Sequence, residues 1–79
     1  MAVHTWRRLH GSNIVCHVEP MHGLGLWTAS AWLTSNPSAV ARASRMTHLM
    51  SAQAKADDLA RKTFAHTCDV ATCGDWLPF

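Results

Sequence analysis

Cysteine and histidine are the residues of this chain best equipped for chemistry, with three of the first and six of the second among 79 residues. His66, Cys68 and Cys73 lie close together near the C-terminus, and Cys16 or His17 would complete a set of four ligands. Zinc takes thiolate and imidazole ligands readily. The spacing fits it poorly, because there is no Cys-x-x-Cys pair and Cys68 and Cys73 stand in a Cys-x4-Cys arrangement. The expectation is therefore no bound metal and no cofactor, with Cys16 as a small core residue and Cys68 and Cys73 as thiols of the tail. In an oxidising setting, that last pair would also be close enough for a disulfide.

Catalysis finds less support. Cys16 and His17 are adjacent, and neighbours on a strand point to opposite faces, so they do not make a dyad. No nucleophile, base and orienting group stand in a legible pattern, and there is no Gly-rich phosphate loop. A chain this short also has little volume for a substrate cleft of several hundred Å³. The reading is a non-enzymatic protein.

Two binding readings remain. Arg7, Arg8, His10, His17 and Trp27 would give an N-terminal sheet some phosphate contacts and a stacking surface for nucleic acid. Two arginines are few for an affinity that rests on phosphate neutralisation, so any such binding is expected to be weak. The other reading is self-association. Charged residues are 15% of the chain, against about 25% in an average soluble domain, so part of the surface is expected to lie against another copy. Ala56, Ala60 and Phe64 are the candidate contact. The leading expectation is a small interaction or regulatory module that forms a homo-oligomer through a helix.

These residues must be positioned by a single domain spanning 1–79. The turn signals His10-Gly11-Ser12-Asn13 and Pro20-Met21-His22-Gly23 separate three β-like runs, Val3–Leu9, Asn13–Glu19 and Leu24–Ala29. Short connections favour an antiparallel meander, occupying 1–35. Alternation puts Ile14, Cys16 and Val18 on the core face of the second strand, and Leu24 and Leu26 on that of the third. Val15, His17 and Trp27 then face outward. On the first strand either Trp6 lies inward with His4 and Arg8 at the margins, which is the preferred reading, or Val3, Thr5 and Leu9 lie inward with Arg7.

Asn36-Pro37 reads as an N-cap followed by a first helical residue. No Gly or further Pro occurs before Ala65, and the spacing predicts one amphipathic helix over 36–65. Met46, Leu49, Met50, Ala54, Ala56, Ala60 and Phe64 form its apolar face, with Arg42 and Asp57 intruding and Leu59 on the polar side. Such a helix would be about 43 Å long, whereas seven-residue strands span about 23 Å. Its second half would break away or overhang onto a partner. The tail, 66–79, ends in Trp76, Leu77 and Phe79, which are expected to fold back.

The fold class that results is α+β, a three-stranded meander followed by one long helix and a folded-back tail. In layout, over residues 3–50, this resembles the plant ethylene-response-factor DNA-binding domains, whose sheet enters the major groove. The resemblance is one of topology and brings no residue role with it. The first residues, Met-Ala-Val-His-Thr-Trp-Arg-Arg, contain no apolar signal-peptide region, and no apolar run approaches the roughly 18 residues of a membrane span. A reduced, cytoplasmic chain is expected.

Overall fold

A computed structural model describes residues 4–11, 13–21, 25–65 and 73–78. The elements run β1 (Trp6–His10), β2 (Ile14–Met21), β3 (Leu26–Leu33), β4 (Asn36–Met46), α1 (Leu49–Thr63) and β5 (Leu77–Pro78). The strands form one antiparallel sheet in the order β4-β3-β2-β1-β5, and α1 packs on one face of it. The class is α+β, but the sheet has five strands where the sequence suggested three. The resemblance to a three-strand-plus-helix DNA-binding layout fails with it, because the element after the third strand is a strand.

The main correction concerns residues 36–46, expected as the first half of a long helix and found as β4. Local sequence permits both. Thr34 and Ser35 make a tight connection, and Leu33 pairs with Asn36. Pro37 is tolerated because β4 is an outer strand, where a missing N–H need not break a ladder. Ala41 and Ala43 alternate with Val40, Arg42 and Ser44. They pair with Ala31 and Ala29 on the helix-facing side, while Arg42 pairs with Ser30 on the other. Between the Ala29–Ala43 and Trp27–Met46 pairs β4 carries an extra residue. Arg45 in this bulge sits at φ 63°, and the bulge returns Met46 to the core side.

With 36–46 in the sheet, the helix has 15 residues and a length of about 22 Å. It now matches its sheet, and nothing overhangs. Its alanines favour helix, and Arg61 and Lys62 in the last turn suit the negative end of the helix dipole. Asp58 lies 3.4–3.8 Å from Lys62, Arg61 and Lys55. Beyond Phe64 the chain leaves the helix through Ala65 at φ 54°.

The core consists of Ile14, Cys16, Val18, Ala29 and Ala31 from the sheet and Ala52, Ala56 and Ala60 from the helix. Trp6, Trp27, Leu33, Met46, Leu49, Leu59, Phe64 and Trp76 pack around it. Small residues on both sides bring helix and sheet close, so that the Cys16 thiol donates to the Ala56 carbonyl at 3.4 Å.

Ile14, Cys16 and Val18 lie inward as expected, and Trp6 packs on the core. On β3 the faces are exchanged: Trp27, opposite Pro20, is on the helix side, while Leu26, opposite Met21, is on the other. The strand begins at Leu26 and its register follows Ala29 and Ala31, the residues small enough to lie beneath the helix. Leu24 lies outside the described residues. Met50 was expected in the core and is 81% exposed, whereas Leu59 packs inward. Both errors come from phasing the helical wheel through residues that form β4. Val15, expected outward, is buried on the second sheet face, as are Thr28 and Ser30. Ala56 and Ala60 are buried against this chain's own sheet, so the overhang that made them a contact for a second copy does not exist. Among the described residues, no helix is long and apolar enough to cross a membrane.

Candidate functional site

β1 is the strand next to the C-terminal segment, and its alternation sets the site. Trp6, Arg8 and His10 pair with Val18, Cys16 and Ile14, so all three side chains lie on the helix side. Gly11, at φ 61°, turns the chain immediately after His10. On α1, Ala56 lies over β2, and the next residue, about 100° further round, reaches across to β1. That residue is Asp57, which the sequence presented as a flaw in an apolar stripe. Residues 73–78 run along the free edge of β1. Cys73 bridges to His10, the Gly74 N–H donates to the Leu9 carbonyl at 2.9 Å, and Leu77 and Pro78 pair with Arg7 and Trp6.

The result is a thiol, an imidazole and a carboxylate in a row. Cys73 Sγ lies 3.0 Å from His10 Nδ1, and His10 Nε2 lies 2.7 Å from Asp57 Oδ1. A carboxylate can only accept, so Nε2 carries the proton toward Asp57 and Nδ1 is left as the acceptor for the thiol. His10 is 1% exposed, and its ring is fixed at both nitrogens. Cys73 is partly exposed. Arg8 holds the arrangement from outside: Nη1 donates to Asp57 Oδ2 at 2.9 Å and Nε to the Gly74 carbonyl at 2.6 Å. Its guanidinium stands 6.0 Å from the centre of the Trp76 ring. One arginine therefore ties the carboxylate of the helix to the segment that carries the thiol.

The backbone around the thiol limits what it can do. In acyl transfer, the N–H of the residue after the nucleophile often helps to hold the oxyanion. Here that N–H belongs to Gly74 and is used by Leu9. Displacement at sulfur needs no such donor.

His10, Cys16 and Asp57 also bring one nitrogen, one sulfur and one oxygen within 4.8 Å of one another, within reach of a cation. Those atoms already satisfy each other and their neighbours: Nε2 with Oδ1, Oδ2 with Arg8, and the Cys16 thiol with the Ala56 carbonyl. The expected tail cluster of His66, Cys68 and Cys73 is described only at Cys73; His66 and Cys68 lie outside the described residues.

The five residues proposed from sequence for nucleic acid are divided by the sheet. Arg8, His10 and Trp27 are on the helix side, and only Arg7 and His17 are on the other. His17 meets the edge of Trp32, with ring centres 5.7 Å apart. Burial pushes the His17 imidazole below its usual value, with Glu19 opposing and Arg7 adding to the shift. Near Arg7, a hollow of about 270 Å³ is lined by Leu9, Gly74, Asp75 and Leu77.

Sequence reasoning passed over His10, Asp57 and Cys73 as a group, because 47 and 63 residues separate His10 from the other two. One local signal existed: a lone aspartate on the buried face of a helix. Against known proteins, no family model, no curated protein and no solved structure matches this chain.

Proposed function

We propose that this chain is a small non-enzymatic regulatory module whose working group is the Cys73 thiol. The observation that carries the reading is the Cys73–His10–Asp57 row, with separations of 3.0 and 2.7 Å. The thiolate is the nucleophilic form of cysteine, and a base held within hydrogen-bond reach, itself oriented by a third group, is the arrangement that generates it. His10 can take the thiol proton without moving, because Asp57 fixes the ring and accepts from its far nitrogen. The engaged Gly74 N–H favours chemistry at sulfur over acyl hydrolysis. A reactive thiol that turns over no substrate is suited to sensing or recording a thiol-modifying reagent. This keeps the regulatory role expected from sequence and moves its seat from the helix surface to the β1 edge.

The test is the rate at which iodoacetamide alkylates Cys73 at neutral pH, read peptide by peptide in the native chain and again in denaturing urea. A free thiol is only a few per cent thiolate at pH 7, so activation can raise the native rate by at most about thirtyfold, less the nucleophilicity lost as the thiolate is stabilised. The expected ratio of native to unfolded is about tenfold at Cys73, and well below one at the fully buried Cys16. A native Cys73 no faster than the unfolded one refutes the proposal.

A further inference from the structure

We infer that Cys73 is a site of mixed-disulfide formation with low-molecular-weight disulfides, and that this modification loosens residues 73–78 from β1. The inference rests on the reactive-thiol reading above and adds the class of reagent and the structural consequence.

The reaction needs no component beyond the disulfide itself. The Cys73 proton passes to His10 Nδ1, and the sulfur attacks one sulfur of the reagent. A new bond joins Cys73 to that sulfur as the reagent's own S–S bond breaks. The departing thiolate leaves with the bond's electron pair and takes the proton back from His10. Cysteine and reagent exchange one disulfide for another, and one small thiol is released.

An internal disulfide with Cys16 is not a competing product. Cys73 lies on one side of β1 and Cys16 on the other, two residues further along. Two strand spacings of about 4.8 Å already exceed the 4.4–6.8 Å between Cα atoms that a disulfide bridges.

The consequence follows from how the sulfur is seated. The thiol contacts the nitrogen of a ring that is 1% exposed and held from behind by Asp57. A sulfur carrying a second heavy substituent has no hydrogen to donate and needs more room, so it must leave His10. The contact it abandons is the first tie of a short segment. Among the described residues, the ties that remain include the Gly74–Leu9 bond, the Arg8–Gly74 bond, a two-residue pairing in which Pro78 has no N–H to give, and the packing of Trp76 on the core and beside Arg8. Leu77 is 63% exposed, so its side chain adds little packing there. Elements with few buried contacts are the first to open locally. The buried apolar core lies between Ile14 and Ala60, so β2, β3, β4 and α1 keep their packing. The edge of β1, including the Leu9 carbonyl, is then uncovered, and an exposed strand edge can accept an extended chain.

The experiment treats the full chain with oxidised glutathione. The modified residue is located by peptide mass spectrometry, and amide exchange is compared across residues 5–10, 25–33, 49–63 and 73–78. The expected product is a mixed disulfide at Cys73, with exchange rising about tenfold or more in 73–78 and 5–10 alone, and reversed by dithiothreitol. Cys73→Phe, which supplies bulk at the same point without chemistry, should give the same exchange pattern in the absence of reagent. Modification at Cys73 with exchange unchanged overturns the loosening while the reactive thiol stands. A Cys68–Cys73 disulfide as sole product overturns the assigned reagent. Failure to modify Cys73 overturns both the reactive-thiol reading and this inference, whereas Cys73→Phe reports on the loosening alone.

Discussion

Replacing Asp57 with asparagine separates what the carboxylate does for the fold from what it does for the thiol. The amide oxygen can still accept from His10 Nε2, but the amide nitrogen then faces Arg8 Nη1, donor against donor. The lost contact is a charge-assisted bond of 2.9 Å between side chains each a little over one-fifth exposed. Such bonds are worth about 1.5–3 kcal/mol, and partial solvent access pulls this toward the lower end. The expected loss for Asp57→Asn is about 1.5 kcal/mol. Asp57→Ala also strips the partner from a buried imidazole N–H, which adds about 1–2 kcal/mol. In a domain of this size each kcal/mol moves the midpoint by about 4–8 °C, so thermal melts followed by circular dichroism should rank wild type, asparagine and alanine clearly. Iodoacetamide alkylation of Cys73 should slow several-fold in Asp57→Asn, since a neutral amide stabilises the imidazolium less than a carboxylate does. If stability falls but the alkylation rate does not, Asp57 is only a structural tie. If Asp57→Asn stays within about 0.5 kcal/mol of wild type, the level of an ordinary surface change, the Arg8–Asp57–His10 connection itself is wrong.

Two further outcomes test the packing and the second sheet face. Ala56→Leu should destabilise by about 1–3 kcal/mol or more in urea melts, because Ala56 is fully buried and its carbonyl lies 3.4 Å from Cys16 Sγ; Met50→Ala, at an 81% exposed position, should stay within about 0.5 kcal/mol, and the reverse ranking would mean that the helix is phased differently. His17 should make the fold sensitive to mild acid. Its folded pKa lies below the 6.5 usual for an imidazole, chiefly through burial, so its contribution is fully present above that value. It is lost as pH falls toward the folded value, because the unfolded chain takes the proton first. The drop in thermal midpoint between about pH 7.5 and 5.5 should therefore be smaller in His17→Gln than in wild type, and an equal drop in both would show that His17 is not responsible.

Local pattern was enough for the parts of this protein whose neighbours in space are neighbours in sequence. The alternation of Ile14, Cys16 and Val18 identified the core face of β2, the turn signals separated the first strands, and the alanine-rich stretch within 49–63 was legible as helix. Residues 36–46 were not decided locally. Asn36-Pro37 opens a helix or an outer strand equally well, and Ala41 and Ala43 suit either. The sheet settled the matter, because an outer position tolerates Pro37 and the small faces of Ala29 and Ala31 accept those alanines as partners. That choice halved the expected helix and placed Ala56 and Ala60 in the core. The site lay further from local pattern still. Its sequence held a buried-phase histidine, an aspartate that spoiled an apolar stripe, and a tail cysteine, none of which implies the others. They meet because the strand order puts β1 between β2 and residues 73–78, and because one turn of α1 lets Asp57 reach past β2. Those are long-range consequences of sheet topology and helix placement, and no spacing along the chain encodes them.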